Sequence, residues 1–207
     1  MATKRRPATS SPASRSRARS KPPAPPRKKA VDYVDRAIEY ARSVIADKKG
    51  TWTGVLLRQA AKRFLEDLKR AGKRGAPFHF SREHANHACG WIELLPHVEG
   101  KWEKAEIVLH PAQLFFVVQL FGFRKADGTR RFTSALYATA RKSGKSTLAA
   151  GILLYCQCCE DEPGAQVISA ATTFPQASII FGVSKRMVEK TPDLREAYGL
   201  QLFAKSI

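Results

Sequence analysis

The sequence predicts an α/β fold. A parallel sheet with flanking helices, incomplete within this chain, is preceded by an all-α region and a disordered basic tail. Three observations carry that reading. From Arg131 onward, strand-like and helix-like patterns alternate, with strands over 132–139 and 166–172 and helices over 145–158 and 175–190, the signature of βαβ units. Between 32 and 95 the sequence reads as three helices, two of them marked by apolar residues at helical spacing. The first 30 residues have the composition of a chain that cannot bury a core. These observations divide the chain into 1–30, 31–98 and 99–207.

The tail holds ten of the 36 Lys/Arg, no acid, and prolines at 7, 12, 22, 23, 25 and 26. Removing those ten charges from the net +18 leaves +8, so the rest is basic as well. A flexible polycation binds phosphate backbones by counterion release without reading base sequence, and a solubilising extension fits the same composition. The longest apolar stretches, 114–118 and 148–156, fall far short of the roughly 18 residues that suggest a membrane span. No apolar segment follows the basic N-terminus, so it does not read as a secretory signal. A soluble intracellular protein is expected.

In the all-α region, Val34, Ala37, Ile38, Ala41, Val44 and Ile45 form one stripe of a helix over 32–49, ended by Gly50. A second helix over 54–71 puts Leu56, Leu57, Ala60, Ala61, Phe64, Leu65 and Leu68 on one side and Arg58, Lys62, Arg63, Lys69 and Arg70 on the other; Gly72 closes it. These basic faces read as solvated surface, with a DNA-facing role as the second reading. Ser81 caps a third helix that Pro96 stops. Residues 99–108 suggest a short strand or loop. Pro111 suits the first position of a helix reaching 120, and the Gly128 turn leads toward the first strand of the sheet.

The cysteines, at 89, 156, 158 and 159, contain no CxxC pair, so a disulfide framework is not expected. His79, His84, His87 and Cys89 crowd together, but their spacing departs from C-x2-4-C and H-x3-5-H. Helix-face and core histidines are the default reading, with a metal site as the alternative.

At the junction of the first strand with its helix stands Thr139-Ala140-Arg141-Lys142-Ser143-Gly144-Lys145-Ser146-Thr147. The pattern G-x-x-x-x-G-K-[ST] defines the phosphate-binding loop of P-loop NTPases. Gly144-Lys145-Ser146 matches it, while Thr139 replaces the first glycine. The triplet alone is weak, arising by chance in roughly one chain in ten of this length at ordinary residue usage. Its placement between an apolar strand and an amphipathic helix makes it specific. Backbone N–H groups at such a junction point at phosphates. Lys145 reaches the β/γ-phosphates of ATP, and the Ser146 hydroxyl joins a Mg²⁺ shell. Arg141 and Lys142 place two further charges in the loop, available to a transferring phosphoryl group or to solvent.

Several stretches resemble the large terminase subunit of tailed bacteriophages, the ATP-driven motor and nuclease that packages DNA into procapsids. They are Val31-Asp32-Tyr33-Val34 with Tyr40-Ala41, Ile92-Glu93-Leu94-Leu95-Pro96-His97, His110-Pro111-Ala112-Gln113, Phe121-Gly122-Phe123 and Gly128-Thr129-Arg130-Arg131-Phe132. Ala170-Ala171-Thr172 with Gln176-Ala177, Phe181 and Met187-Val188 continue the likeness. In this family the first Walker A glycine is commonly missing, which accounts for Thr139. The resemblance implies that Gln113 contacts the adenine base and that Arg141 acts in catalysis with Lys145. It implies no role for Thr172 or Gln176. It also implies double-stranded DNA, a small terminase subunit and a portal protein as partners, a homo-oligomeric motor, and the cytoplasm of an infected bacterium.

No apolar strand ending in Asp-Glu follows Lys145. The nearest acids, Glu160-Asp161-Glu162, read as a loop before Pro163-Gly164. The expectation is an N-terminal portion of the motor that holds ATP and Mg²⁺ without hydrolysing ATP by itself. A basic DNA-binding or assembly piece and another P-loop phosphotransferase are the alternatives.

Overall fold

The computed structural model describes residues 32–100, 105–160 and 165–207; the tail lies outside them. Seven helices and two short strands are present among these residues: α1 (Tyr33–Ala46), α2 (Val55–Arg70), β1 (Phe78–Phe80), α3 (Arg82–Glu93), α4 (Pro111–Gly122), β2 (Phe123–Lys125), α5 (Lys145–Cys159), α6 (Phe174–Lys190) and α7 (Pro192–Ala197).

The centre is α4. It is apolar on nearly every face and buries Leu114, Phe115, Val117, Val118, Leu120 and Phe121, as a helix surrounded by others must. Helices α1 and α3 pack on it, α2 packs on α1, and α5 contacts α3 and α6. The boundary expected at 98/99 is therefore crossed by helix packing. Tyr33 Oη donates to Glu93 Oε2 at 2.7 Å, and Glu93 Oε1 accepts from the Leu109 N–H at 2.8 Å, joining α1, α3 and the approach to α4. Burial and the neighbouring Glu93 carboxylate push the Tyr33 phenol up to about 12, so it stays a donor at neutral pH.

Asp32 caps α1, accepting from the N–H groups of Val34 and Asp35, and of the predicted stripe Val34, Ala37, Ala41 and Val44 are buried while Ile38 and Ile45 are half-buried. The helix ends at Ala46, three residues before the predicted end, because Asp47 draws the chain away. Its carboxylate accepts from the N–H groups of Thr51, Trp52 and Thr53 and from the Thr53 hydroxyl, all within 3.0 Å. Hydrogen bonds from Trp52 first, then from Thr51 and Thr53, hold this carboxyl well below the usual carboxylate range. A depressed folded-state pKa contributes stability that is complete above the unfolded value, about 4, and is lost as the pH falls through the folded one. Acid titration of Asp47→Ala is accordingly expected to show a flatter decline in stability below about pH 4 than the parent chain.

The region expected to be all-α contains β1, which pairs antiparallel with β2 in the register Phe78↔Lys125, His79↔Arg124, Phe80↔Phe123. The pair is built from aromatic packing. Phe123 is fully buried and meets the rings of Phe64, Phe78, Phe80 and Phe132 edge-on at centroid distances of 4.9–6.1 Å. Gly122, where α4 passes into β2, has no room for a side chain, because an added Cβ would fall against the Phe80 ring. Gly122→Ala is expected to destabilise the chain by about 1–3 kcal/mol, the usual cost of overpacking, measured by denaturant unfolding.

The strands predicted over 132–139 and 166–172 form no ladder; among the described residues the sheet is β1–β2 alone. Both stretches carry no regular secondary structure and no strand pairing, and Leu136 and Ile168 are 90% and 77% exposed. A parallel strand takes its hydrogen bonds from neighbours and its burial from both faces, and neither stretch has a paired neighbour. Together with the helices between and after these stretches, the result is a mixed helix and small-sheet architecture, consistent with an α/β ATPase domain.

Candidate phosphate-binding site

The loop enters α5 as the sequence predicts: Gly144 is the N-cap and Lys145 the first helical residue. Gly144 has φ +71° and Lys142 has φ +62°. Left-handed conformations at two positions this close turn successive peptide units into the concave arrangement that favours anions. Glycine meets that requirement without strain; Lys142 meets it at a cost. The first N–H groups of α5 have no partner within the helix, and its N-terminus carries the positive end of the helix dipole.

Lys145 folds back over the loop. Its Nζ donates to the carbonyl oxygens of Thr139 at 2.8 Å and Ala140 at 2.6 Å. The ammonium thus spans the loop from end to start, in a position where a phosphate oxygen can replace a carbonyl. Arg141 and Lys142 are exposed at the tip, whereas Ser143, Ser146 and Thr147 are half-buried at the base. Loop, helix start and lysine together fit an anionic phosphate chain, and the Ser146 hydroxyl is of the chemical type that joins a Mg²⁺ shell.

Gln113, placed at the adenine by resemblance, lies against the loop. It bonds the Ser143 carbonyl, a contact that spacing could not reveal across 30 residues. Thr172 and Gln176 bond each other at 2.8 Å at the start of α6. Glu160 lies at the far end of α5, about 22 Å from Lys145 at 1.5 Å per residue, held by Arg124 at 3.1 Å and Arg130 at 2.8 Å. The histidines near Cys89 have protein partners: His84 Nδ1 lies 2.7 Å from Ser81 Oγ, and His87 Nδ1 lies 3.0 Å from Tyr155 Oη. None of the four cysteines is in a disulfide.

The stretch from the first residue of α4 through α7, residues 111–198, matches the family "Terminase large subunit, ATPase domain". This part of the chain is similar to the terminase large subunit ATPase domain. The large terminase subunit of Enterobacteria phage HK97 is 33% identical over 99 residues, which cover 47% of this chain and 19% of the phage protein. The chain therefore spans about a fifth of the length of that relative. No solved structure matches. The terminase match covers α4, the phosphate loop and α5 together, so Gln113, Thr139 and Lys145 all lie within it. No helix among the described residues is long and apolar enough to cross a membrane.

Proposed function

We propose that this chain contributes the nucleotide-gripping part of a DNA-packaging motor, binding ATP with Mg²⁺ at the loop 139–147. The observation that carries the reading is the loop's own geometry, with Lys145 spanning from the helix start back to the carbonyls of Thr139 and Ala140. The terminase match across the same residues supports it.

In this reading the N–H groups around Gly144 and the start of α5 hold the phosphate oxygens. Lys145 exchanges its carbonyl partners for the β/γ-phosphates, and Arg141, exposed at the loop tip, supplies charge to the transferring phosphoryl group. Mg²⁺, when bound, neutralises charge on the β- and γ-phosphates, with Ser146 contributing its hydroxyl. The stretches 132–139 and 166–172, unpaired among the described residues, are the strand positions of a parallel sheet in this reading. Double-stranded DNA, a small terminase subunit, a portal protein and further copies of the motor are the partners, in the cytoplasm of an infected bacterium.

The test is calorimetric titration of the chain with MgATP and a non-hydrolysable analogue, beside Lys145→Ala. Magnesium-dependent binding that the substitution weakens is the expected result; equal affinity in both proteins would sink the reading. A second reading, a basic DNA-binding piece, draws on the exposed Lys62 and Lys69 of α2. It requires duplex binding that falls steeply with salt and is indifferent to Lys145.

A further inference from the structure

Gln113 is engaged at both ends of its amide. Its Oε1 accepts from the His110 N–H at 3.0 Å, one half of the capping box that starts α4. Its Nε2 donates to the Ser143 carbonyl at 3.3 Å. The same nitrogen stands 3.1 Å from where a Cβ on Gly144 would sit, so the side chain lies against the turn that carries the loop into α5.

A trans peptide is planar, with its C=O and N–H pointing in opposite directions. Holding the Ser143 oxygen toward Gln113 therefore sets the direction of the Gly144 N–H, which must face away from α4. Gly144 itself sits at φ +71°, and without a side chain at this position nothing else on the residue fixes the orientation of that peptide unit. Gln113 is itself anchored, because its other amide atom is committed to the cap of the buried central helix. The structure thus links the rigid start of α4 to one specific N–H of the loop.

We propose that Gln113 is a positioning residue for the phosphate loop, acting through the Ser143–Gly144 peptide unit rather than through the nucleotide base. The proposal rests on the loop's being a phosphate site. It separates from a base contact by a simple criterion: a residue that orients the loop affects every ligand bearing the phosphate chain, with or without a base.

The experiment titrates the full chain and Gln113→Met, a neutral side chain of similar length, with MgATP, MgGTP and magnesium tripolyphosphate. All three affinities are expected to fall by a common factor of about fivefold, the effect of one neutral hydrogen bond. A loss confined to MgATP, with tripolyphosphate unchanged, would overturn the proposal in favour of a base contact. A lowered melting temperature with all three affinities unchanged would reduce Gln113 to a helix cap and overturn it equally. Gln113→Glu keeps the acceptor for His110, and so the cap, while turning an acceptor toward Ser143. In the nucleotide-free protein it is expected to shift the Gly144 amide signal in a ¹⁵N–¹H spectrum with the Gly128 signal unmoved; an unshifted Gly144 signal would overturn positioning in a folded chain. If the parent chain binds none of the three ligands, the nucleotide reading itself falls, and this proposal with it. If the parent binds and the variants match it, only positioning falls.

Discussion

Replacing Lys145 by alanine is expected to weaken MgATP binding about 100-fold and to leave the fold standing. A hydrogen bond to a charged group contributes about 1.5–3 kcal/mol, and an ammonium between two phosphates can make two of them. The gain is an exchange, however, because in the free protein Nζ already bonds the carbonyls of Thr139 and Ala140. Subtracting those neutral-acceptor bonds leaves roughly 3 kcal/mol, or about 100-fold in Kd. The carbonyl bonds are exposed, so their loss should lower unfolding stability by no more than about 1 kcal/mol. Titration together with denaturant unfolding separates the two effects. A Kd within about threefold of the parent, in a protein of unchanged stability, would remove Lys145 from the site and with it the nucleotide reading.

The loop was legible in the sequence for a physical reason. A phosphate-binding loop needs fixed residue types at adjacent positions, and the requirement of glycine at a left-handed turn followed by lysine at the first helical residue is local. The helices were legible on the same ground: the Ser81 cap and the Pro111 start both stand where the sequence puts them. What the sequence hid is non-local. The strands β1 and β2 have three residues each and exist through pairing between segments some 45 residues apart, so no periodicity could announce them. Helix α7, six residues long, is too short for an apolar stripe. The contact of Gln113 with Ser143 and the ion pairs of Glu160 likewise depend on how α4, β2 and α5 come together. The strand patterns at 132–139 and 166–172 show the opposite case. Their local propensity is clear, yet a ladder also needs neighbours, and among the described residues neither stretch pairs.

Glu160 is the residue whose substitution carries the largest expected cost in stability. The sequence reads it as part of an acidic loop that follows the phosphate-loop helix and precedes Pro163-Gly164. The structure instead makes it the C-cap of α5, bonded to Arg124 and Arg130. Both members of the Arg124 pair are nearly buried, with side chains 9% and 11% exposed. Breaking a buried pair by removing one partner costs about 3–5 kcal/mol, because a charge is left inside without its counterpart. Arg124 would keep two acceptors, the carbonyls of Phe121 at 3.1 Å and Gly128 at 3.4 Å, which places Glu160→Ala at the lower end, about 3 kcal/mol. Glu160→Gln keeps an acceptor and loses the charge, so it should fall between the alanine variant and the parent in stability. Nucleotide affinity per folded molecule should stay the same in both, since the pair lies about 22 Å from Lys145 along α5. A magnesium ligand would behave in the reverse way, with Glu160→Gln abolishing magnesium-dependent binding at unchanged stability. Denaturant unfolding and MgATP titration on the same two variants therefore decide whether this carboxylate anchors the far end of α5 to β2 or serves the site at its start.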